Sequence, residues 1–146
     1  MTFPPSSTAL DMPTLDVPGS VHPDLADRIL LVDDDAGVRA AMRRVLAQAG
    51  LLVTEADNGD QAALLLDRPG AFDMLVTDVR MPGMRDGLSL ATDWRARAPG
   101  RPLLFVTGSS DKLRLDQLGP QEAVICKPFP RASLVDAVRR MLRAAP

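Results

Sequence analysis

Arg28-Ile29-Leu30-Leu31-Val32-Asp33-Asp34-Asp35 decides the fold. An apolar run of this length, rich in Ile, Leu and Val, reads as a strand buried on both faces, the kind found in parallel sheets. The run stops in carboxylates. About forty-five residues later, Met74-Leu75-Val76-Thr77-Asp78 repeats the arrangement of an apolar run and then an acid. Acids at the ends of parallel strands gather at the carboxyl edge of the sheet, where open α/β folds bind ligands. Crowded carboxylates repel one another unless positive charge joins them. A divalent cation plus a lysine would supply it, and Ile125-Cys126-Lys127-Pro128-Phe129 offers a lysine at the end of another apolar run.

Around these runs, strand and helix patterns alternate. The first strand is expected at about 28–32. Asp35 is a cap for a helix from Ala36 to Ala49, with Val38, Met42, Val45, Leu46 and Ala49 on one face and Gly50 as the stop. Leu51 to Glu55 is a short strand. Asn58 caps a second helix with Ala62, Leu65 and Leu66 inward, ending before Pro69-Gly70. A third strand spans about 73–77. Asp86 caps a third helix through Ala98, with Leu88, Leu90, Ala91 and Trp94 inward. Pro102 to Thr107 is a fourth strand, Ser110 to Leu118 a short helix, and Ala123 to Cys126 a fifth strand. Pro130 falls in the first turn of a last helix, where proline is tolerated, and Leu134, Ala137, Val138, Met141 and Leu142 form its buried face. Five βα units predict an α/β fold, a doubly wound five-stranded parallel sheet with five helices.

The 146 residues suit one domain with a real core. A net charge of −2 gives no sign of a nucleic-acid binder. Of 17 basic residues only Lys112 and Lys127 are lysines, so an ordinary surface cation here would be arginine and Lys127 stands out. One cysteine, Cys126, excludes an intrachain disulfide, and it reads as a buried, inert thiol inside the fifth strand. No apolar stretch is long enough to span a bilayer, no signal-peptide pattern opens the chain, and a cytoplasmic location is expected. Residues 1–27 hold five prolines and no periodicity and read as a flexible tail. His22, the single histidine, lies in it and is not read as a phosphotransfer or metal site.

Five features agree in order and spacing: Leu31-Val32-Asp33-Asp34, Asp78, Met81-Pro82, Thr107-Gly108 and Lys127-Pro128-Phe129. On a βα pattern the chain therefore resembles the receiver domains of two-component response regulators over about 28–145, including receivers attached to hybrid sensor kinases. The resemblance implies a flavodoxin-like sheet of order 2-1-3-4-5. It implies Asp78 as phosphoacceptor and Mg²⁺ (or Mn²⁺) held by Asp33, Asp34, Asp78 and the backbone carbonyl of Arg80. Lys127 and Thr107 would contact the phosphoryl group, with room left for it by Gly108, although a turn is an equal reason for that glycine. The Lys127-Pro128 bond is expected cis by resemblance, while most X–Pro bonds are trans. Asp35 remains a helix cap.

Three departures from the family pattern stand out. Val124 sits three residues before the lysine, where receivers commonly place Tyr or Phe, so a ring-rotation readout is absent. Met81-Pro82-Gly83-Met84-Arg85-Asp86-Gly87 is one residue longer than usual. The segment from Thr107 to Lys127 is about two residues short, and Gly119-Pro120 interrupts it. Arg80, two after the acceptor, lies where family members tune dephosphorylation. The expected function is a stand-alone receiver, phosphorylated on Asp78 by a histidine kinase or histidine phosphotransfer protein and acting on a downstream protein by contact. Beyond catalysing its own phosphorylation and dephosphorylation it is not expected to be an enzyme. Direct nucleic-acid binding and membrane insertion are not expected, and dimerisation is left open. Arg131, Arg139, Arg140 and Arg143 read as a solvated helix face. Two other readings stay open: a phosphorylation-independent pseudo-receiver, favoured by Val124, and a phosphohydrolase using Asp33-Asp34-Asp35 as an Asp-x-Asp motif.

Overall fold

The computed structural model describes residues 26–68, 70–108 and 118–145. The tail expected over 1–27 lies outside the described residues except for its last two. The short helix expected from Ser110 lies outside them except for Leu118. The described elements run β1 (Arg28–Val32), α1 (Ala36–Gln48), β2 (Leu52–Ala56), α2 (Gly59–Leu65), β3 (Met74–Thr77), α3 (Gly87–Arg97), β4 (Leu103–Thr107), β5 (Glu122–Cys126) and α4 (Arg131–Ala144). Four of the five expected helices are therefore present among the described residues.

All five strands pair in parallel, in the order β2-β1-β3-β4-β5. The three central strands are buried almost throughout because helices cover both faces. The alternation along β1 divides its side chains. Leu30 and Val32 join Ala62, Leu90 and Trp94 under α2 and α3. Ile29 and Leu31 join Met42, Leu46, Leu134 and Val138 under α1 and α4. Trp94 is a packing residue, as its position on the helix implies, and its indole Nε1 donates to the Arg101 carbonyl at 3.3 Å.

The caps explain why the helices start where they do. Asp35 accepts from Val38 N at 3.0 Å, Asn58 from Gln61 N at 2.7 Å, and Asp86 from Ser89 N at 2.9 Å. Pro130 precedes the first helical residue of α4 rather than lying within the first turn, with φ −66° and no side-chain cap bond. Its fixed φ still aims the chain into the helix.

Cys126 corrects the sequence reading, for it is exposed. The apolar run of β5 suggested a strand covered on both faces. β5 is instead the edge strand, bonded among described strands to β4 alone, and Cys126 is its last residue.

Candidate active site at the carboxyl edge of the sheet

Register brings the acids together. Val32 of β1 pairs with Thr77 of β3, so the residues that follow, Asp33 and Asp78, leave the sheet side by side. Thr107 of β4 pairs with Cys126 of β5, which delivers Lys127 to the same edge. Asp78 N donates to Val32 O at 2.9 Å, and Lys127 N donates to Thr107 O at 2.8 Å. Sheet-type bonds thus continue past the assigned strand ends and fix the backbone of the site.

Lys127 Nζ donates to Asp33 Oδ2 at 2.8 Å and to Asp78 Oδ2 at 3.1 Å. The Asp33 side chain is fully buried and that of Asp78 is 12% exposed. Charge-assisted bonds of this kind are needed when carboxylates are taken out of water. Burial pushes the Lys127 ammonium down, but its bonds to Asp33 and then Asp78 outweigh burial and hold it above the ordinary lysine value. Asp33 Oδ1 accepts from Asp35 N at 2.9 Å, and its carbonyl accepts from Arg39 Nη1 at 2.7 Å. The Lys127-Pro128 bond is cis.

Asp33, Asp34 and Asp78 each present a carboxylate oxygen within 4.8 Å of the others. Three hard oxygen donors at this spacing suit Mg²⁺ or Mn²⁺, which keep part of their water shell and need few protein ligands. Asp34 is exposed and lines an open depression with Arg80, Met81, Pro82 and Asp86, so a hydrated ion could enter from that side. Asp35 is not one of the clustered acids; its carboxylate caps α1. Thr107 is buried at the end of β4. Among the described residues a Cβ on Gly108 would meet nothing within 4 Å, and its φ lies outside the left-handed range.

Sequence reasoning missed two glycines. A Cβ on Gly87 would lie 1.9 Å from the Asp78 carbonyl oxygen, and Gly87 N donates to Val79 O at 2.8 Å. Only glycine lets α3 start against the backbone that carries Asp78. A Cβ on Gly59 would lie 2.3 Å from the Arg85 carbonyl oxygen. A glycine directly after the capping residue Asp86 or Asn58 was the available signal. The lengthened 81–87 segment uses its room at Gly83, with φ 101°, and at Arg85, which pairs with Asp60 of α2 and Asp93 of α3.

Residues 29–139 match the family model for the response regulator receiver domain. The chain is 39% identical over 121 residues to the response regulator receiver protein CpdR of Brucella abortus (strain 2308), a match covering 81% of this chain and 98% of CpdR. It is 37% identical over 123 residues to the C4-dicarboxylate transport transcriptional regulatory protein DctD of Pseudomonas aeruginosa PAO1, covering 82% of this chain but only 26% of DctD. The chain thus spans about a quarter of DctD and nearly the whole of CpdR. Among solved structures, the receiver domain of sensor histidine kinase PA1611 of Pseudomonas aeruginosa PAO1, described with a magnesium ion coordinated in its active site cleft, superposes with a TM-score of 0.71 at 27% identity. That match covers 82% of this chain and 99% of that one.

Proposed function

This chain belongs to the response regulator receiver family of two-component systems, and we propose that its receiver unit, residues 28–145, accepts a phosphoryl group on Asp78 from a histidine kinase or histidine phosphotransfer protein. The observation that carries this reading is the Lys127 ammonium held between Asp33 and Asp78 at the edge where the three acids converge. A carboxylate oxygen of Asp78 attacks phosphorus, the bond from phosphorus to the donor nitrogen breaks, and an acyl phosphate forms. Transfer of this kind needs little covalent help from the protein and much neutralisation of phosphoryl oxygens. Lys127 already sits on Asp78 and can follow the charge onto the phosphoryl group. Thr107, at the neighbouring strand end, supplies a hydroxyl donor.

Asp33, Asp34, Asp78 and the Arg80 carbonyl would hold Mg²⁺ (or Mn²⁺). The bound ion supplies positive charge against the phosphoryl oxygens. The likeness to PA1611 supports that choice. Receiver domains are signalling modules without a separate catalytic activity. The output proposed here is contact with a downstream protein. The setting proposed is the cytoplasm; among the described residues no helix is long and apolar enough to cross a membrane.

Val124 favours a second reading, an interaction module that signals without phosphorylation. It is partly buried against the α2–α3 core, opposite Phe105 in the ladder, and carries no ring to turn. Asp35, the acid of the phosphohydrolase reading, caps α1 and lies outside the clustered acids, which favours the acceptor reading over it. Incubation with acetyl phosphate and Mg²⁺, read by intact mass, separates the first two. Phosphorylation predicts one added phosphoryl group, absent without Mg²⁺ and absent in Asp78→Asn. No mass gain with acetyl phosphate or a kinase, or equal labelling of Asp78→Asn, overturns the acceptor assignment.

A further inference from the structure

α1 and α4 lie side by side and run in the same direction, and a cleft of about 350 Å³ opens between them. Val38 and Val45 of α1, Leu134 of α4 and Phe129 just before α4 give it apolar walls, while Arg44 and Arg131 stand on its rim. No acid lines it. At the other end of the same helix pair, Ala49 and Leu142 form a second depression together with Ala26 and Asp27, and Arg139 and Arg143 line it. A depression therefore lies towards each end of the α1–α4 seam: one beside residue 26, where Arg139 Nη2 also donates to the Ala49 carbonyl at 3.1 Å, and the apolar α1–α4 groove, which reaches Lys127-Pro128-Phe129.

We propose that residues 10–18 of this chain, Leu10-Asp11-Met12-Pro13-Thr14-Leu15-Asp16-Val17-Pro18, dock in the α1–α4 groove. Charge selects this occupant. Residues 1–25 contain Asp11, Asp16 and Asp24 and neither lysine nor arginine, against a groove with Arg44 and Arg131 on its rim and no acid in its lining. A second copy of the domain would set the same arginines against themselves. Pattern agrees: Leu-Asp-apolar-Pro occurs twice, five residues apart, and offers apolar side chains to the walls with an acid between them for the rim. Proline restricts φ and disfavours the helical region for the residue before it, so a segment with two prolines has less entropy to lose on docking. Reach is sufficient. From Ala49 to Val38 α1 rises about 16 Å. Residues 19–25 can span up to about 24 Å, so Pro18 can be placed at either end of the groove.

The test is the amide spectrum of the ¹⁵N-labelled full chain against the double variant Leu15→Ser, Val17→Ser. Docking predicts shifted amides at Ala41, Val45, Phe129 and Arg131, with Ala62 and Ala91 on the opposite face unmoved as the control for folding. Arg44→Glu should in turn shift the amides of Asp16 and Val17. Shifts confined to the neighbourhood of residues 15 and 17 overturn the proposal. So do groove shifts that follow protein concentration in wild type and ignore the substitutions, because those would assign the groove to a second copy.

Discussion

The two edges of the sheet gather acids and cations in different proportions. At the amino edge, Asp73 accepts from the backbone N of Arg28 at 2.8 Å and from its guanidinium at 3.2 Å, and from Arg101 at 2.8 Å. Burial pushes the Asp73 carboxyl up, but these bonds outweigh it and hold the group below the usual carboxylate range. Asp27 stands nearby, raised by burial and by Asp73, so two acids face two arginines. At the carboxyl edge, one ammonium bridges two of three clustered acids, and one of those acids is fully buried. Balanced charge at a solvated edge ties chain segments together and leaves nothing for a ligand to do. Clustered carboxylates partly out of water, within 4.8 Å of one another, are donors suited to a cation.

The sharpest break between the edges is backbone space. Gly87→Ala should cost about 3 kcal/mol, because its Cβ would overlap the backbone of Asp78 and Val79, which no side-chain rotation can relieve. Thermal unfolding checks this, and Gly70→Ala, in open space but with φ 68°, should cost about 1 kcal/mol. Lys127→Met should come next. Without divalent ions it should destabilise by about 3 kcal/mol, since it leaves buried carboxylates facing one another. Added Mg²⁺ should then raise the melting temperature of this variant more than that of wild type. If Mg²⁺ leaves the variant unchanged, the edge is not short of positive charge.

The smallest effect belongs to the amino edge. Asp73→Asn should cost about 1 kcal/mol at neutral pH, as expected for a partly exposed ion pair. Because the folded chain favours ionised Asp73 more than the unfolded chain does, its contribution is complete above the ordinary value of about 3.9 and drains away as pH falls below it. Denaturant titrations of wild type and Asp73→Asn should therefore converge below about pH 4.

Most of this architecture was legible in the chain because apolar runs and caps are local. β1 spans the expected residues, and Asp35, Asn58 and Asp86 cap where their sequence positions imply. Gathering of the acids was legible too, since strands read from apolar runs end in them. What the sequence withheld depended on neighbours. Cys126 sits in a run as apolar as the others, yet its exposure follows from β5 lying at the edge. The demand at Gly87 exists only because α3 starts against Asp78, a contact no periodicity encodes. The counter-charges at Asp73 come from Arg28 and Arg101, which are remote in sequence from it and look like ordinary surface arginines.

Calorimetric titration of Mg²⁺ into the full chain tests the contrast between the edges most directly, with Asp34→Asn and Asp73→Asn alongside. One ion should bind per chain. Asp34→Asn, an exposed change at the carboxyl edge, should weaken binding on the order of tenfold or more, and Asp73→Asn should leave it unchanged. No saturable binding by wild type, or an equal loss in Asp73→Asn, would contradict the account.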